Sequence, residues 1–294
     1  MCKAKEKNYV AVVVTYYPDL KHLNLMIKEL VAAKVCVVIY DNTPGKENSL
    51  SDFNRFDSVH LLANGNNDGL GKAFNTSIEF LKTNLMTPDA LLFFDQDSTI
   101  RKTQVLSLIS ELEWLQKEGW PIGTLGACPV DPAGNIFRVH NFKNSTLSSP
   151  KGFSLVSFVI SSFSIIPYEV FQKVGFFDER LFIDLVDSEF SWRCSKYGLL
   201  NLRSKKTKFT HVIGKSRKKI FNRSFSISSP SRNYYQARNL IIVGRDYGWY
   251  WYIFSGIFRR FIQVCLSGYH ERNLWLRLKY FSKGVYHGFI NKTD

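Results

Sequence analysis

The amino-acid sequence predicts an α/β fold built around a mostly parallel sheet. Almost uncharged, β-branched runs such as YVAVVVT at Tyr9–Thr15 are typical of strands buried on both faces. Segments with apolar residues at helical spacing alternate with these runs, which is the pattern of βαβ units. With 294 residues, of which 45% are hydrophobic and 15% aromatic, the chain can bury the core of one large domain or of two.

The elements follow one another in a regular order. Strands are predicted at residues 9–15, 35–40, 59–63, 90–94 and 123–128. Helices are predicted at 20–33, 71–85 and 103–117, and another begins near Asp187. Between 129 and 154 the sequence is polar and rich in Gly, Pro and Ser, which is typical of a loop over a site. Beyond about residue 245 it becomes aromatic, basic and helical.

The positive charge lies in the last third of the chain. Residues 1–200 hold 20 Lys and Arg against 22 Asp and Glu, whereas residues 201–294 hold 19 against 3. Nucleic acid, phosphates or anionic lipid headgroups would therefore be attracted to the C-terminal part.

The N-terminus and the cysteines favour a cytoplasmic protein. The first residues, MCKAKEK, are charged and contain no apolar signal core. The five cysteines are scattered and have no CxxC spacing, so we expect reduced thiols and neither a disulfide framework nor a zinc site.

Two carboxylates follow the fourth predicted strand. Asp95 and Asp97 are one residue apart at the end of an apolar run. In an open α/β sheet, ligands bind at the carboxyl ends of the strands. Paired acids repel each other unless a cation lies between them, and a divalent cation that carries phosphates is the usual partner. The alternative is an acidic turn that faces water.

Other polar residues also follow predicted strands. Thr15, Asp41 and Asn67 would meet Asp95 and Asp97 at one edge of a parallel sheet. Asp41-Asn42 could accept a hydrogen bond from a nucleobase imide or a ribose hydroxyl. Each residue taken alone could equally be a turn former.

The segment NDGLGKAFN, residues 67–75, contains glycines before a predicted helix. Gly69 would let the backbone approach a ligand closely, and the helix N-terminus and Lys72 would attract an anion. The segment fits neither GxxxxGK[ST] nor GxGxxG, so by itself it is a weak phosphate motif.

Two further residues could take part in chemistry. Asp187 is predicted in the first turn of a helix, where an acid is favoured for structural reasons. One of the acids Asp184, Asp187 and Glu189 could also serve as a general base. His211 follows a short strand and a basic run. A lone histidine there is more often structural, although with Asp97 at a metal it could be an additional ligand.

Taken together, these motifs resemble a known family. The chain is similar, over about residues 9–245, to the inverting nucleotide-sugar glycosyltransferases of family two, and most of all to bacterial rhamnosyltransferases that build surface polysaccharides. The matching segments are VVVTYYPD, YDN, NDGLGKAFN, FFDQDS, GFFDERLFIDLVDSEFSWRCSKYG, THVIG and RNYYQARN. The resemblance implies the GT-A fold, in which a Rossmann-like, mixed but mostly parallel sheet is flanked by helices.

The resemblance also implies a set of site residues. Asp95-Gln96-Asp97 would be the DXD motif, which holds Mg²⁺ or Mn²⁺ on the donor diphosphate, with His211 as a further metal ligand. The implied nucleotide-sugar-binding residues are Thr15, Tyr17, Asp41, Asn67, Gly69, Lys72, Asp95, Gln96, Arg232 and Arg238. Asp187 falls at the position of the catalytic base. Val186 replaces the family's glutamate beside it, which leaves Asp184 or Glu189 as helpers.

The implied reaction moves L-rhamnose from dTDP-L-rhamnose to a glycan acceptor. That acceptor would be linked to polyprenyl diphosphate, as in the synthesis of O-antigen or capsule. We therefore expect a catalytic domain at residues 1–245 and a separate helical segment at 246–294.

The C-terminal segment has three interpretations. Its apolar stretch is interrupted by Arg259-Arg260 and is too short to span a bilayer, which takes about 20 apolar residues. Aromatic residues mixed with Arg and Lys suit a helix in the headgroup region, on the cytoplasmic face of the inner membrane. Packing on the catalytic domain and a homo-oligomer interface are the alternatives.

Two other functions compete with glycosyl transfer. The segment from Asp95 to Thr99 also fits the DxDx[TV] motif of haloacid-dehalogenase-type phosphatases. That motif normally ends the first strand of its domain, whereas three strands are predicted before it. The basic C-terminal third could bind nucleic acid, but it contains no known binding motif, so we do not expect a nucleic-acid partner.

Overall fold

The computed structural model describes residues 7–45, 50–84, 86–131, 133–136, 149–210, 217–220 and 223–292. The strands are β1 (Tyr9–Thr15), β2 (Cys36–Asp41), β3 (Val59–Ala63), β4 (Ala90–Asp95), β5 (Ile122–Val130), β6 (Phe153–Leu155), β7 (Ser164–Pro167), β8 (Leu200–Thr210), β9 (Arg217–Ile220) and β10 (Arg223–Ser226). The helices are α1 (Leu20–Ala32), α2 (Leu70–Thr83), α3 (Lys102–Lys117), α4 (Tyr168–Val174), α5 (Val186–Lys196), α6 (Pro230–Asp246), α7 (Tyr250–His270) and α8 (Leu274–Phe289). Short 3₁₀ helices lie at Ser51–Arg55 and Glu179–Leu181.

The predicted strands and helices are confirmed, with ends that differ by no more than two residues. The sequence predicts neither β6 nor β7, because both lie in a serine-rich apolar run without clear alternation. Most of the predicted loop after β5 lies outside the described residues, as does His211.

Eight strands form one mixed sheet in the order β3-β2-β1-β4-β7-β5-β8-β6. β1 runs parallel to both β2 and β4, whereas β7 is antiparallel to β4 and β5. Thr15 is the register partner of Asp41, and Val14 is the partner of Asp95. The carboxyl ends of β2, β1 and β4 therefore lie at one edge of the sheet, as the sequence predicts.

Helices cover both faces of the sheet, and the alternation of side chains along each strand sorts the residues. On one face, Ala11 and Phe94 belong to a core cluster with Leu23 of α1 and Leu112 of α3. On the other face, Phe93 contacts the rings of Phe74, Phe171 and Phe177, with ring centroids 4.8, 6.2 and 5.4 Å away. Strand residues that are neighbours in sequence thus support different helices.

The chain divides into two compact units. The first unit contains the sheet, and comprises the described residues up to 178 together with 187–210. The second unit comprises 179–186 and the described residues from 217 onwards, with α6, α7 and α8. The boundary that the sequence predicts at residue 245 stays a prediction.

Glycines allow the three helices of the second unit to pack closely. A Cβ atom at Gly284 of α8 would clash with the backbone of Tyr234 of α6, and one at Gly256 of α7 would lie 2.6 Å from Leu240. The small core between these helices contains Ala237, Val264 and Phe281. None of the helices described combines the length and the apolar character needed to cross a membrane.

Candidate active site at the sheet edge

Thr15 and Asp41 form a buried pair at the ends of β1 and β2. The Thr15 hydroxyl donates to Asp41 Oδ1 over 3.0 Å, and the N–H of Thr43 donates to the same oxygen over 3.0 Å. The side chain of Thr15 is fully buried and that of Asp41 is 2% exposed. Both residues lie at the predicted edge of the sheet. There the hydrogen bond between them joins the ends of β1 and β2.

Gln96 orients a pair of exposed tyrosines. Its side-chain oxygen accepts from the N–H of Tyr16 over 2.6 Å, and its amide nitrogen donates to the carbonyl of Tyr16 over 3.0 Å. Tyr16 and Tyr17 are 48% and 54% exposed, and their rings meet edge to face with centroids 4.7 Å apart. Tyr17 has a φ of 47°, a conformation that few non-glycine residues adopt. Gln96 therefore stabilises the loop that presents these rings.

Asn42 joins the end of β2 to the glycine loop. Its amide nitrogen donates to the carbonyl of Gly69 over 3.1 Å, and its oxygen accepts from the N–H of Asp68 over 3.1 Å. Asn67 accepts from the N–H of Gly69, also over 3.1 Å. Gly69 has a φ of 79° and directly precedes α2, so this turn needs glycine for its left-handed backbone.

Asp68 is the centre of the hydrogen bonds in this loop. It accepts from Asn64, from the Tyr40 hydroxyl over 2.5 Å and from Lys72 Nζ over 3.0 Å. Burial acts to raise the pKa of Asp68, but the hydrogen bonds from Tyr40, Lys72 and Asn64 and the charge of Lys72 outweigh it and lower the pKa. Burial, together with the hydrogen bond to Asp68, raises the pKa of Tyr40. The charge of Lys72 is thus partly neutralised within the loop.

Asp95 and Asp97 place two carboxylates at the end of β4. Asp95 is half-buried and Asp97 is exposed, and a short turn follows in which the N–H of Ser98 donates to the carbonyl of Asp95 over 3.1 Å. Among the residues that the structure describes, no three His, Cys, Asp or Glu side chains form a metal-binding group. Mg²⁺ usually takes one or two carboxylates, with phosphate oxygens and water completing its octahedron. The two aspartates therefore fit a metal that arrives with a diphosphate.

Asp187 lies in the first turn of α5 and is held by backbone and side-chain groups. Its Oδ2 accepts from the N–H of Ser161 over 3.1 Å, and its Oδ1 accepts from the N–H of Ser188 over 2.8 Å. Its side chain also lines a small internal cavity of about 10 Å³ with Phe93 and Phe190. The carboxylate is half-buried and fixed in orientation, as a general base requires.

The acids on either side of Asp187 are engaged in ion pairs. Within the first unit, Glu189 is 7% exposed and forms two hydrogen bonds with Arg193, of 3.0 and 2.8 Å. Within the second unit, Asp184 forms two hydrogen bonds with Arg232, of 2.9 and 2.8 Å. Glu189 therefore has a structural role and is a poor candidate for the helper that the sequence suggests.

Arg238 is buried within the second unit. Its Nη2 donates to the carbonyl of Arg180 over 2.5 Å, and its guanidinium carbon lies 5.4 and 5.1 Å from the ring centroids of Tyr234 and Tyr235. A guanidinium in this position stabilises α6 against the 3₁₀ helix at Glu179–Leu181, and a contact between Arg238 and the donor phosphates stays a prediction. Arg232 is exposed, with its charge paired to Asp184.

Sequence reasoning missed several residues that shape the site. Asp68 holds the glycine loop, and Ser161 orients Asp187. Asn75 of α2 exchanges two hydrogen bonds with the backbone of Phe177, of 2.9 and 3.0 Å. Asp68 and Asn75 both lie within the matched motif NDGLGKAFN. Their place in this motif, close to predicted nucleotide-binding residues, was the available signal.

Comparison with known proteins identifies a relative along most of the chain. The chain is 34% identical over 253 residues to the dTDP-rhamnosyl transferase RfbF of Shigella flexneri, and the match covers 81% of this chain and 80% of that protein. No family model matches the sequence.

Solved structures support the fold. GalNAc-T7, crystallised with UDP, GalNAc and Mn²⁺, superposes with a TM-score of 0.60 at 13% identity, over 83% of this chain and 48% of that one. Residues 1–349 of S. aureus TarS in complex with UDP-GlcNAc superpose with a TM-score of 0.52 at 14% identity, over 98% of this chain and 76% of that one. This chain thus spans about half of the GalNAc-T7 chain.

The fold is therefore GT-A, and the phosphatase alternative is wrong because the fold and the relative are those of glycosyltransferases. With a relative at this identity over four fifths of its length, the chain belongs to the family-two, GT-A-fold glycosyltransferases that include bacterial rhamnosyltransferases.

Proposed function

We propose that the protein transfers L-rhamnose from dTDP-L-rhamnose to a glycan acceptor, with inversion at the anomeric carbon and with the help of Mg²⁺ or Mn²⁺. The observation that carries this proposal is the alignment of Thr15, Asp41 and Asp95 at the carboxyl ends of three neighbouring parallel strands. The donor is inferred from the relative, whose name specifies a dTDP-rhamnosyl transferase.

The nucleotide would lie along the loops at this edge. Tyr16 and Tyr17 offer exposed rings that can stack on a base, and their backbone is held by Gln96. The loop around Gly69 would pass close to the nucleotide because it has no side chain at its tightest turn. Lys72 would supply a positive charge, which is moderated by Asp68.

Asp95 and Asp97 would hold the metal together with the donor diphosphate. When bound, Mg²⁺ or Mn²⁺ neutralises the charge that develops on the leaving diphosphate. The protein's own contribution is the placement of two carboxylates, one half-buried and one exposed, directly after a rigid strand. His211 remains a proposed further ligand.

Asp187 would be the general base. One carboxylate oxygen takes the proton from the acceptor hydroxyl as that oxygen forms a bond to the anomeric carbon. The bond between this carbon and the diphosphate breaks at the same time, and its electron pair leaves with the diphosphate. The N–H groups of Ser161 and Ser188 fix the orientation of the carboxylate, and positioned bases of this kind contribute about 10²–10⁴-fold to rates.

We further propose that the acceptor is a glycan on polyprenyl diphosphate, used in O-antigen or capsule-type synthesis. The enzyme would then act at the cytoplasmic face of the inner membrane. This part of the proposal rests on the family resemblance, and nucleic acid has no part in it.

A thermal-shift screen tests the donor. The full-length protein is heated with Mn²⁺ and with one member of a panel of nucleotide sugars at a time. We expect the largest rise in melting temperature with dTDP-L-rhamnose, since a ligand that binds only the folded state stabilises it. A larger rise with a UDP- or GDP-sugar would contradict the donor assignment.

A matched pair of variants tests the metal site. Asp97→Asn should abolish the Mn²⁺-dependent part of the shift and reduce transfer at least about 100-fold. Asp57→Asn changes another exposed aspartate, which lies before the amino end of β3, and should behave as wild type. An unchanged Mn²⁺ dependence in Asp97→Asn would remove this residue from the metal site.

A further inference from the structure

The second unit exposes a stripe of aromatic residues on α7. Trp251, Phe254 and Phe258 are 77%, 67% and 60% exposed. Their spacing of three and four residues places them on one side of the helix. The stripe continues through further exposed residues, namely Phe261, Ile262, Leu266 and Tyr269. We call this set the outward face of α7.

The opposite side of α7 already provides the packing that the helices need. Ile253, Gly256 and Val264 are buried there, and a Cβ atom at Gly256 would lie 2.6 Å from Leu240 of α6. The outward face therefore does not contribute to the core of this unit. A continuous apolar surface of this kind is characteristic of an interaction site.

An apolar groove borders the outward face, between α7 and α8. Its volume is about 580 Å³, which is in the range of sites that hold small apolar molecules. Its lining is aromatic and aliphatic apart from one arginine, and comprises Arg245, Tyr250, Ile253, Phe254, Ile257, Phe258, Phe261, Phe281, Val285 and Phe289. A groove of this volume and lining suits part of a hydrocarbon chain.

The helices that carry this surface are basic. Residues 250–292 contain seven Lys and Arg and a single acid, Glu271. Arg259, Arg272, Lys279 and Lys283 are exposed on α7, on α8 and in the turn between them. Exposed Trp and Phe beside Lys and Arg are typical of helices at the boundary between headgroups and acyl chains.

Two kinds of partner could cover this face, a second copy of the chain or a lipid bilayer, and the charge of the helices favours the bilayer. A second copy of the chain would bring an equally basic surface against it, and like charges across an interface are destabilising. An anionic bilayer complements both the charge and the apolar stripe. Because Arg259 and Arg260 interrupt the apolar run of α7 near its middle, the helix would lie in the plane of the headgroups and would not span the hydrocarbon core.

We propose that the outward face of α7 binds the surface of an anionic phospholipid bilayer, and that the groove between α7 and α8 accommodates an acyl chain from it. This goes beyond the transfer reaction and specifies the surface through which the enzyme contacts its membrane. It does not depend on the identity of the donor sugar.

Vesicle co-sedimentation of the full-length protein tests the proposal. The probes are vesicles of phosphatidylcholine alone and of phosphatidylcholine with phosphatidylglycerol. We expect binding to the anionic vesicles, reduced by salt and weak on phosphatidylcholine alone. The triple variant Trp251→Ser, Phe254→Ser, Phe258→Ser should bind at least about tenfold more weakly.

A control variant of the first unit is matched in exposure. Leu20, Leu25 and Tyr197 are 52%, 57% and 50% exposed, and their joint replacement by serine should leave vesicle binding unchanged. Circular dichroism and the thermal shift with dTDP-L-rhamnose should be the same for both triple variants. This readout separates a failure of membrane binding from a failure of the proposed reaction.

The charges are tested separately from the aromatic stripe. Arg259→Gln and Lys279→Gln should each lower the affinity for the anionic vesicles about fivefold, which corresponds to the usual contribution of one basic residue near such a surface. Neither change should alter the weak binding to phosphatidylcholine.

Brominated acyl chains locate the contact. A lipid brominated on its acyl chain quenches tryptophans that reach the chains, so Trp251→Phe should remove a large part of the quenching seen in the wild type. Trp114→Phe removes an exposed tryptophan of the first unit, 43% exposed, and should leave the quenching unchanged.

Two outcomes would overturn the proposal. One is wild-type protein that stays in the supernatant with anionic vesicles at low salt. The other is sedimentation-velocity evidence that the wild type is a dimer, that the Trp251→Ser, Phe254→Ser, Phe258→Ser variant is a monomer, and that vesicles do not compete with dimerisation. That second result would assign the outward face to another copy of the chain.

Discussion

Aromatic residues at two places, the core of the first unit and the outward face of α7 in the second, differ in burial. In the first unit Phe93 is fully buried and touches three other phenylalanines. In the second unit Trp251 and Phe254 of α7 are among the most exposed large hydrophobic side chains of the described residues. The ring of Phe93 thus belongs to a core, whereas these two rings face solvent. Phe93 contributes to stability, and the rings of α7 are available for the recognition that we propose.

Two aspartates of the second unit and Asp187 of the first unit differ in their hydrogen-bond partners. In the second unit Asp184 and Asp246 are paired with Arg232 and Arg180, over 2.8 and 2.6 Å. In the first unit Asp187 accepts hydrogen bonds from backbone N–H groups of Ser161 and Ser188. These N–H groups fix the orientation of the Asp187 carboxylate, which supports its proposed role as the catalytic base.

The largest expected effect tests this difference between the acids. Asp187→Asn keeps the shape of the side chain but removes its ability to accept a proton. We expect the transfer rate to fall about 10²–10⁴-fold, measured as release of dTDP in the presence of acceptor, while the thermal shift with donor remains.

Asp184→Asn is the control from the second unit. It weakens an ion pair with Arg232 that is partly exposed to solvent, so the rate should change less than about tenfold. If Asp184→Asn slowed transfer as much as Asp187→Asn, the division of labour between the two sets of acids would be wrong.

The next effect compares buried and exposed rings. Phe93→Ala should lower the free energy of unfolding by about 3–5 kcal/mol, because it removes a fully buried ring and leaves a cavity. Phe254→Ala should change it by less than about 0.5 kcal/mol, because the ring is exposed. Urea unfolding followed by circular dichroism measures both. A large loss of stability in Phe254→Ala would show that the outward face of α7 is part of a core.

The smallest expected effect concerns the loop at the sheet edge. Asp68→Asn removes the negative charge that forms an ion pair with Lys72. It should lower the free energy of unfolding at pH 7 by about 1–2 kcal/mol. The pKa of Asp68 in the folded protein is lowered from its ordinary value of 3.8. Its stabilisation is therefore present above that value and is lost as the pH falls through the lower pKa of the folded state.

The pH profile provides the check on this prediction. The wild type should lose its extra free energy of unfolding over Asp68→Asn as the pH falls below about 4. Asp57→Asn should follow the wild type throughout, because Asp57 is exposed. A difference between wild type and Asp68→Asn that does not depend on pH would mean that packing, and not the charge, stabilises the loop.

Much of the fold could be predicted from the sequence, because short runs of residues determine most of its strands and helices. β1 and β3 have the predicted ends, since a run of β-branched residues bounded by turn formers leaves few alternatives. β6 and β7 could not be predicted, because three or four residues in a serine-rich run acquire strand geometry only from their neighbours in the sheet. The alignment of Thr15 with Asp41 followed from strand order alone.

The roles of individual polar residues were less predictable. Lys72 and Arg238 are both predicted to contact phosphates, and within the protein Lys72 is paired with Asp68 and Arg238 is buried against a backbone carbonyl. Gln96 lies between two acids of a ligand motif, and its amide pairs with the backbone of Tyr16. A sequence names the donor and acceptor groups, but it does not say which of them satisfy each other.

The sequence by itself determined the α/β order, the polar strand ends and the basic, aromatic character of the last third. These properties depend on periodicity and composition, which are local. Only the tertiary structure decided which charges are neutralised inside the protein and which aromatic side of α7 is left uncovered, since both depend on partners that are distant along the chain and adjacent in space.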